Sequence, residues 1–373
     1  MKEFYRDSWV EIKLAHIDYN IKQLTKRLRK ETNIYAVVKA NGYGHGDIEV
    51  ARTAIDAGAK RLAVALLDEA IKLREAGIHV PILVMGRVRP ADVPVAVKYE
   101  ITLTCYQKEW LEEVRQLELE KPVTVHLKWD TGMGGRIGIR STTELLDNLK
   151  LLKHKAFYLE GIFTHFATAD EENLGHFESQ LVHFQRLREA FEKNWHEKVL
   201  FHTGNSAASM RFPDKMFDFV RFGISMYGLY PSPTVKLEQP IDLKPALSLQ
   251  SRLIHVKKVE PGTTISYGAT YTAQTEEWIG TVPLGYADGI RRGLQGSEVL
   301  VNGKRCEIVG RICMDQFMIR LTEQAKVGDL VTVIGKQDQE EIEMDELAEK
   351  LETINYEIAC MISSRVPPRI YVD

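Results

Sequence analysis

Short apolar runs alternate with amphipathic stretches over the first two-thirds of this 373-residue chain. Runs rich in valine, isoleucine and leucine are typical of buried strands. Helical spacing of apolar residues falls between several of them, as in Ile48–Ala57 and Asn173–Phe191. Parallel strands need such crossovers, and eight strand–helix units can close into a barrel of roughly 200–250 residues. An open, doubly wound sheet remains the alternative from this pattern alone. The predicted strands are Tyr35–Lys39, Arg61–Ala65, Pro81–Met85, Ile101–Cys105, Val123–Lys128, Leu159–His165, Val199–Thr203 and Phe217–Phe222.

The character of the sequence changes around Tyr230–Pro233. Downstream, β-rich runs are separated by Pro-Gly and Asn-Gly pairs, which are hairpin signals, and one helix is predicted over Met344–Glu352. We therefore predict an α/β barrel domain over residues 1–242 and a mainly β domain over 243–373. The amphipathic segment Ser8–Leu14 could pack with either domain. The predicted downstream strands are Ser248–Val259, Trp278–Pro283, Glu298–Val301, Arg305–Met314, Phe317–Leu321, Leu330–Ile334 and Arg369–Asp373.

Composition limits the kinds of partner to expect. The chain is 44% hydrophobic and 27% charged, with a net charge of −3, which gives no reason to expect nucleic acid or an anionic membrane surface as a partner. No apolar run approaches the ~20 residues needed to span a bilayer. The start of the chain is charged and lacks an apolar signal core, so we do not expect export. The four cysteines lack metal-ligand spacing, which predicts reduced thiols in a cytoplasmic protein and no metal site.

Lys39 ends the first predicted strand and is followed by the unusual run Asn41–Gly46. A partly desolvated amine has a lowered pKa and can attack a carbonyl to form a Schiff base. The alternative is a surface lysine that closes a strand. Lys128, His165 and Arg221 fall at the ends of three other predicted strands, and barrel enzymes gather their active groups at these carboxyl ends. We therefore predict that these side chains share one mouth.

The run around Lys39 resembles the lysine motif of alanine racemases, enzymes that hold pyridoxal 5′-phosphate (PLP) on a barrel. The resemblance implies a (β/α)8 barrel of the TIM type followed by a mainly β C-terminal domain, with PLP bound and a homodimer whose active site is shared across the interface. Further motifs of that family follow in family order at Lys128–Met133, Phe163–Ala167, Gly204–Ala208, Arg221–Ile224, Ser266–Ala269, Leu284–Gly289 and Cys313–Asp315.

The same resemblance implies roles for the catalytic and cofactor-binding residues. Lys39 would hold PLP and act as one base, and Tyr267 of a partner subunit would act as the second base, for the L-isomer. Arg221 would face the pyridine nitrogen, and because arginine stays protonated it would weaken the ring as an electron sink. His165 would connect Arg221 with Tyr267. The phosphate would be bound by Tyr43, Ser206, Gly223, Ile224 and Tyr356.

Arg136 and Met314 would bind the substrate carboxylate, and a carbamate on Lys128 would hold Arg136 in place. One departure concerns this site, because the chain has one glycine more before Arg136 than the family pattern. A flexible glycine turn could absorb that residue, or the insertion could displace Arg136. Asp315 would come with Met314 from the partner subunit, and Tyr286 would narrow the entry.

The resemblance implies interconversion of L-alanine and D-alanine by two bases, one on each face of Cα, which supplies D-alanine for cell-wall peptidoglycan. A racemase of the same build with serine or a broader range of substrates is the first alternative. A barrel decarboxylase is less favoured, since its pyridine contact is typically acidic. A PLP carrier without turnover is the alternative outside the enzymes, and the second domain argues against it.

Overall fold

The computed structural model describes residues 5–366 and 370–372. Contacts group the chain into two units. The barrel unit contains residues 16–42 and 46–244, and the C-terminal unit contains the residues up to 15, residues 43–45 and those from 245 onward. The domain boundary after residue 242 remains a prediction.

The described strands, in chain order, are β1 (Ser8–Lys13), β2 (Asn33–Val37), β3 (Arg61–Val64), β4 (Ile82–Val84), β5 (Thr102–Cys105), β6 (Val123–Lys128), β7 (Phe157–Phe163), β8 (Leu200–His202), β9 (Phe219–Phe222), β10 (Leu247–Arg252), β11 (His255–Val259), β12 (Thr264–Ile265), β13 (Tyr271–Thr272), β14 (Glu277–Val282), β15 (Glu298–Val301), β16 (Lys304–Val309), β17 (Phe317–Leu321), β18 (Leu330–Gln337), β19 (Glu340–Ile342) and β20 (Ile370–Val372).

The described α-helices are Leu14–Arg27, Asp47–Asp56, Leu67–Glu75, Val93–Lys98, Lys108–Val114, Thr142–Leu152, Gly175–Glu192, Ser206–Arg211, Pro233–Glu238, Met344–Lys350 and Asn355–Met361. Short 3-10 turns also occur, including Ile224–Tyr227 after β9 and Tyr267–Ala269 between β12 and β13.

The barrel unit is a closed, parallel barrel of the strands β2 to β9. Closure is made by β2 and β9, which pair from Asn33–Phe219 to Ala36–Phe222. The predicted (β/α)8 barrel is therefore confirmed, and the open-sheet alternative is wrong. Helices cover the outside, and an aromatic cluster fills one of the spaces between helix and barrel, where the Trp129 ring lies 5.1 Å from Phe184.

Two barrel strands end two residues earlier than the sequence predicts, and three others end one residue earlier. β2 ends at Val37 and β7 at Phe163, so that Lys39 and His165 each lie two residues beyond a strand. The cause near Lys39 is a left-handed turn, which a strand cannot enter. The consequence is that both side chains belong to loops at the carboxyl end of the barrel, where they have more freedom to reach a ligand.

The C-terminal unit is mainly β, as predicted. Its main sheet has the order β11-β14-β17-β16-β15-β18-β10-β1-β20, with β19 paired to β18. The Asn302-Gly303 turn joins β15 to β16 with both residues at positive φ, as the hairpin signal predicts.

Several strand predictions in this unit need adjustment. The strand predicted over Arg305–Met314 ends at Val309, where Gly310 takes a positive φ of 68°, and the strand predicted over Leu330–Ile334 continues to Gln337, where it pairs with β19. The predicted strand Ser248–Val259 is in fact two strands, β10 and β11, because at Leu253 and Ile254 the backbone N–H groups switch partners to Asp329 and Thr281. The strand predicted over Arg369–Asp373 appears as β20, and Arg369 and Asp373 lie outside the described residues.

The described helices include none with both the length and the apolar character that crossing a membrane requires.

Candidate active site

Lys39 lies at the mouth of the barrel, on a turn with unusual backbone geometry. Ala40, Asn41 and Gly42 have φ values of 53°, 53° and 59°, which together form a left-handed helical turn. A left-handed conformation costs non-glycine residues roughly 1–2 kcal/mol each. Such strain persists only where the surroundings hold it, and it is concentrated at functional sites.

The surroundings of this turn are specific. The hydroxyl of Tyr227 donates to the carbonyl of Val37 (2.9 Å) and the Val38 N–H donates to the carbonyl of Ala63 (3.0 Å). On the other side of Lys39, the Ala40 N–H donates to Glu69 Oε1 at 2.6 Å. The backbone is therefore fixed on both sides of the lysine.

Arg221, at the end of β9, is the most densely bonded side chain of the mouth, and its residue is only 3% exposed. Its Nη1 donates to Nδ1 and to the carbonyl oxygen of His202, at 3.0 and 2.9 Å. Its Nη2 lies within hydrogen-bond distance of the carbonyls of Thr164 and Thr203 and of His165 Nδ1, the last at 3.2 Å. Burial lowers the pKa of Arg221 to about 10, so the guanidinium remains charged at neutral pH. Among the described residues, its Nε–H has no acceptor.

The contacts of Arg221 determine which nitrogen of each neighbouring histidine carries the proton. Arginine can only donate, so Nδ1 of His202 accepts and its Nε2 carries the hydrogen. That hydrogen points to Nδ1 of His126 at 2.8 Å, and His126 in turn donates from Nε2 to Glu160 at 3.0 Å. A directed chain of hydrogen bonds thus runs from Arg221 through the interior of the barrel to a carboxylate.

The histidines in this region are neutral. Burial, followed by the charge of Arg221, lowers the pKa of His165 well below its ordinary value. Burial also lowers the pKa values of His126 and His202. Burial alone would raise the pKa of Glu160, but hydrogen bonds from His126 and Arg61 outweigh it and bring that pKa to about 2. Arg221 is therefore a buried cation whose hydrogen-bond acceptors are neutral.

Lys128, at the end of β6, is buried beside Arg221. Its ammonium nitrogen lies 5.4 Å from the centre of the Phe163 ring, and the guanidinium carbon of Arg221 lies 5.5 Å from the same ring. Its Nζ donates to the carbonyl of Trp129 at 2.7 Å. Burial and then the charge of Arg221 lower the pKa of Lys128 to about 7. A substantial fraction of this amine is therefore neutral and nucleophilic near neutral pH.

Arg136 is exposed and follows two glycines, Gly134 and Gly135, with φ values of 66° and 64°. A Cβ on either glycine would meet nothing within 4 Å. The extra residue is thus accommodated by a turn in open space, in a conformation that glycine adopts without strain. The positive charge of Arg136 acts on Lys128 and on His165, lowering the pKa of each. The role of Arg136 as the partner of Lys128 remains a prediction.

Ser206, Gly223 and Ile224 form a buried corner of the barrel unit. Asn205 caps the helix that begins at Ser206, its side chain accepting from the Ala208 N–H at 3.0 Å. The Ser206 hydroxyl accepts from the Gly223 N–H at 3.0 Å, and Ile224 then begins a 3-10 turn. Because the Ser206 oxygen accepts from the Gly223 N–H, its own hydroxyl hydrogen is available to a ligand, and hydroxyl donors of this kind can bind a phosphate.

The other predicted site residues belong to the C-terminal unit. The rings of Tyr43 and Tyr356 lie 6.2 Å apart, and burial raises the pKa of Tyr43, so its phenol stays protonated. Tyr267 begins a 3-10 turn and is 72% exposed, while Met314 and Tyr286 are 52% and 44% exposed. The Tyr286 N–H donates to the carbonyl of Cys313, which holds the two loops together. Asp315 pairs with Arg365 at 2.6 Å.

The structure therefore brings together Lys39, Lys128, His165 and Arg221, with Ser206, Gly223 and Ile224 on the loops that follow β8 and β9. Sequence reasoning missed His126, Glu160 and His202. A signal existed for two of them, since polar residues within β6 and β8 are unusual for buried barrel strands. Glu69 was also missed, because it lies on a helix of the next strand–helix unit. No group of three or more His, Cys, Asp or Glu side chains able to hold a metal ion occurs among residues 5–366 and 370–372.

These features define a class of protein, the barrel enzymes that hold a lysine at the mouth of a (β/α)8 barrel and have a second, mainly β unit. Residues 12–231 match the family of alanine racemase N-terminal domains, and residues 246–371 match the family of alanine racemase C-terminal domains. The chain belongs to the alanine racemase family.

Individual relatives are similar to the chain over nearly its whole length. The chain is 54% identical over 369 residues to the alanine racemase of Geobacillus stearothermophilus, covering 98% of this chain and 94% of that protein. It is 49% identical to alanine racemase 1 of Bacillus subtilis, covering 100% of this chain and 95% of that protein. The crystal structure of alanine racemase from Bacillus anthracis with bound L-Ala-P has a TM-score of 0.96 at 48% identity, covering 100% of this chain and 96% of that one.

Proposed function

We propose that the protein is a PLP-dependent alanine racemase that interconverts L- and D-alanine and works as a homodimer in the cytoplasm, where its product supplies cell-wall peptidoglycan. The observation that carries the proposal is Arg221, a buried cation fixed by five neutral acceptors, with one N–H left unassigned at the mouth that also holds Lys39. Family membership over both units supports the same reaction.

The residues of the barrel mouth fit PLP. The Nε–H of Arg221 is a donor without an acceptor among the described residues, which suits a pyridine nitrogen. Ser206, held by the Gly223 N–H, offers its hydroxyl to a phosphate. Lys39 offers an amine to the aldehyde carbon. When bound, PLP draws electron density from the Cα–H bond of an amino acid and so makes that proton removable.

Three site residues of the barrel unit then have separate roles. Lys39 holds the cofactor and takes or returns the Cα proton on one face. Arg221 stays positively charged, and its charge disfavours a protonated ring nitrogen, which limits side reactions that need a strong electron sink. His165 is neutral, accepts from Arg221 through Nδ1, and therefore carries a hydrogen on Nε2, which it can donate to a phenolate.

The opposite face of Cα needs a second base, and we assign it to Tyr267 of a second copy of the chain. Its exposure, together with that of Met314 and Tyr286, supports this assignment, because three large side chains left in solvent on one unit are suited to being covered. Tyr43 and Tyr356 would complete the phosphate site, Tyr286 would narrow the entry, and Asp315 would hold the loop of Met314 through Arg365.

Arg136 and Met314 would bind the substrate carboxylate. We propose that the amine of Lys128 reacts with dissolved carbon dioxide to form a carbamate that orients Arg136. The lowered pKa of Lys128, about 7, supports this step, because only the neutral amine reacts. The charge of Arg136 acts on Lys128, which supports Arg136 as the group that the carbamate would orient.

The test is a racemisation assay with purified protein and PLP. Optical rotation of L-alanine should decay to zero without release of carbon dioxide, and L-serine, run in parallel, should racemise more slowly. Release of carbon dioxide would identify a decarboxylase. Faster turnover of serine would favour the broader racemase, and no turnover of either amino acid in PLP-loaded protein would favour a carrier.

A further inference from the structure

Glu69 makes a contact that the reaction described above does not use. It lies in the first turn of the helix Leu67–Glu75, which follows β3, whereas Lys39 follows the neighbouring strand β2. One carboxylate oxygen accepts from the Ala40 N–H at 2.6 Å. The other accepts from the N–H groups of Ala65 and Leu66, at 2.8 and 3.0 Å. A single carboxylate therefore joins the loops of two adjacent strand–helix units.

The position of the Ala40 N–H makes this contact relevant to Lys39. That nitrogen belongs to the same peptide plane as the carbonyl of Lys39, because a peptide bond is planar. Fixing the N–H therefore fixes the plane through which the lysine backbone continues. Val37 and Val38 are held on the other side by Tyr227 and Ala63. Glu69 is the side chain that restrains the following residue.

Ala40 also has a conformation that needs support. Its φ and ψ are 53° and 51°, and Asn41 continues in the same left-handed region. Alanine has a Cβ that disfavours this region, whereas glycine enters it freely. Charge-assisted hydrogen bonds to a carboxylate are stronger than neutral ones. The contact from Glu69 thus acts on a non-glycine residue that lies in the left-handed region.

The geometry points to Glu69 as a positioning residue for Lys39: its carboxylate holds the Lys39–Ala40 peptide in the left-handed turn and so directs the lysine side chain toward the reacting carbon. This inference rests on the proposed racemase function for its catalytic consequence. The structural part, the restraint on Ala40, stands without the cofactor.

The primary experiment compares Glu69→Ala with the wild-type protein. Because Lys39 would be held less precisely, kcat for alanine should fall roughly 10- to 100-fold while KM changes little. In protein without added PLP, the amide hydrogen of Ala40 should exchange with solvent faster, since its acceptor has been removed. Asp68→Ala is the matched control, because Asp68 is an exposed carboxylate of the same helical turn that makes no hydrogen bond to another described residue.

A second substitution separates positioning from general support of the fold. Ala40→Gly removes the backbone penalty that Glu69 offsets, so the double variant Glu69→Ala/Ala40→Gly should recover most of the lost kcat. If Glu69 acted only by accepting from the N–H groups of Ala65 and Leu66, substituting Ala40 would not restore kcat. Should Glu69→Ala fail to fold, Glu69→Gln serves instead. One end of the glutamine amide is an NH2 group, which can only donate, so it cannot accept from all of the N–H groups that donate to the Glu69 carboxylate.

Support requires a lower kcat and faster Ala40 exchange in the Glu69 variant, recovery with glycine at position 40, and wild-type behaviour of Asp68→Ala. The inference is overturned if kcat and Ala40 exchange are unchanged, if Asp68→Ala loses as much, or if glycine at position 40 restores nothing. Absence of racemisation in the wild-type protein would instead contradict the proposed function, and the exchange measurement would still report on Glu69.

Discussion

The predicted site residues of the two units differ sharply in their environment. In the barrel unit, Arg221 and Lys128 are buried and hydrogen-bonded, and Arg221 contacts five acceptors within its own unit. In the C-terminal unit, Tyr267 and Met314 are more than half exposed. The barrel half of the site is therefore pre-organised by its own chain. We propose that a second copy of the chain covers the exposed half.

Replacing Lys39 should disable the barrel half altogether and gives the largest expected effect. Lys39→Ala removes the amine that we propose holds PLP and serves as one of the two bases, so racemisation should fall by at least about 10⁴-fold. The visible absorbance that depends on the lysine-linked cofactor should also disappear. Optical rotation and absorbance spectroscopy measure the two losses. Lys60→Ala, at an exposed position of the same unit, is the control. An unchanged spectrum in Lys39→Ala would show that Lys39 does not hold the cofactor.

Replacing Tyr267 tests the exposed half. Tyr267→Phe removes the hydroxyl that we propose as the second base, and a positioned acid–base group contributes roughly 10²–10⁴-fold. In heavy water, loss of the Cα hydrogen from L-alanine should slow by that factor, whereas loss from D-alanine should be affected less because Lys39 remains. Proton NMR of each isomer follows the exchange.

Tyr271→Phe is the control for this experiment, since Tyr271 hydrogen-bonds to Glu277 within the same unit. Equal slowing for both isomers in Tyr267→Phe would contradict the assignment of one base to each face.

The burial of Lys128 predicts a smaller, pH-dependent effect on stability. Its pKa is about 7 in the folded chain against an ordinary value of 10.5. Between these values the unfolded chain binds a proton that the folded chain does not, so this lysine makes the protein more stable as pH rises from 7 toward 10.5. Below pH 7 both states are protonated and the cost of the buried charge is complete.

The free energy of unfolding of the wild-type protein relative to Lys128→Met should therefore increase by on the order of 1–3 kcal/mol between pH 6.5 and pH 9.5. Denaturant unfolding in bicarbonate-free buffer measures it. Lys150→Met, at an exposed lysine, should show no such slope. Parallel pH curves for wild type and Lys128→Met would mean that Lys128 is not held in a low-dielectric environment.

Much of the fold could be predicted from the sequence because each barrel strand is a short apolar run with a helical interval behind it. The positions of Arg221 and Lys128 followed, since both lie within strands whose ends the pattern predicts. The strands before Lys39 and His165 end two residues earlier than predicted. Near Lys39 the reason is the left-handed turn at Ala40, a local backbone property that apolar periodicity does not report.

The hydrogen-bonded chain from Arg221 to Glu160 could not be predicted for a different reason. It depends on His126 and His202, which lie on β6 and β8 and meet only because the sheet closes. The contact of Glu69 with Ala40 likewise joins neighbouring strand–helix units. The extra glycine before Arg136 was ambiguous in the sequence. In the structure Gly134 and Gly135 form a turn in open space, and the role of Arg136 remains a prediction.

The central claim is that one copy of the chain supplies Lys39 and another supplies Tyr267 to the same site. Two inactive variants, Lys39→Ala and Tyr267→Phe, co-expressed with different tags and purified as the mixed dimer, test this directly. If the site is shared, one of the two sites in each mixed dimer has both wild-type residues, and the racemisation rate should return to about half that of the wild-type dimer. A mixed dimer no more active than the mean of its two parent variants would contradict the claim.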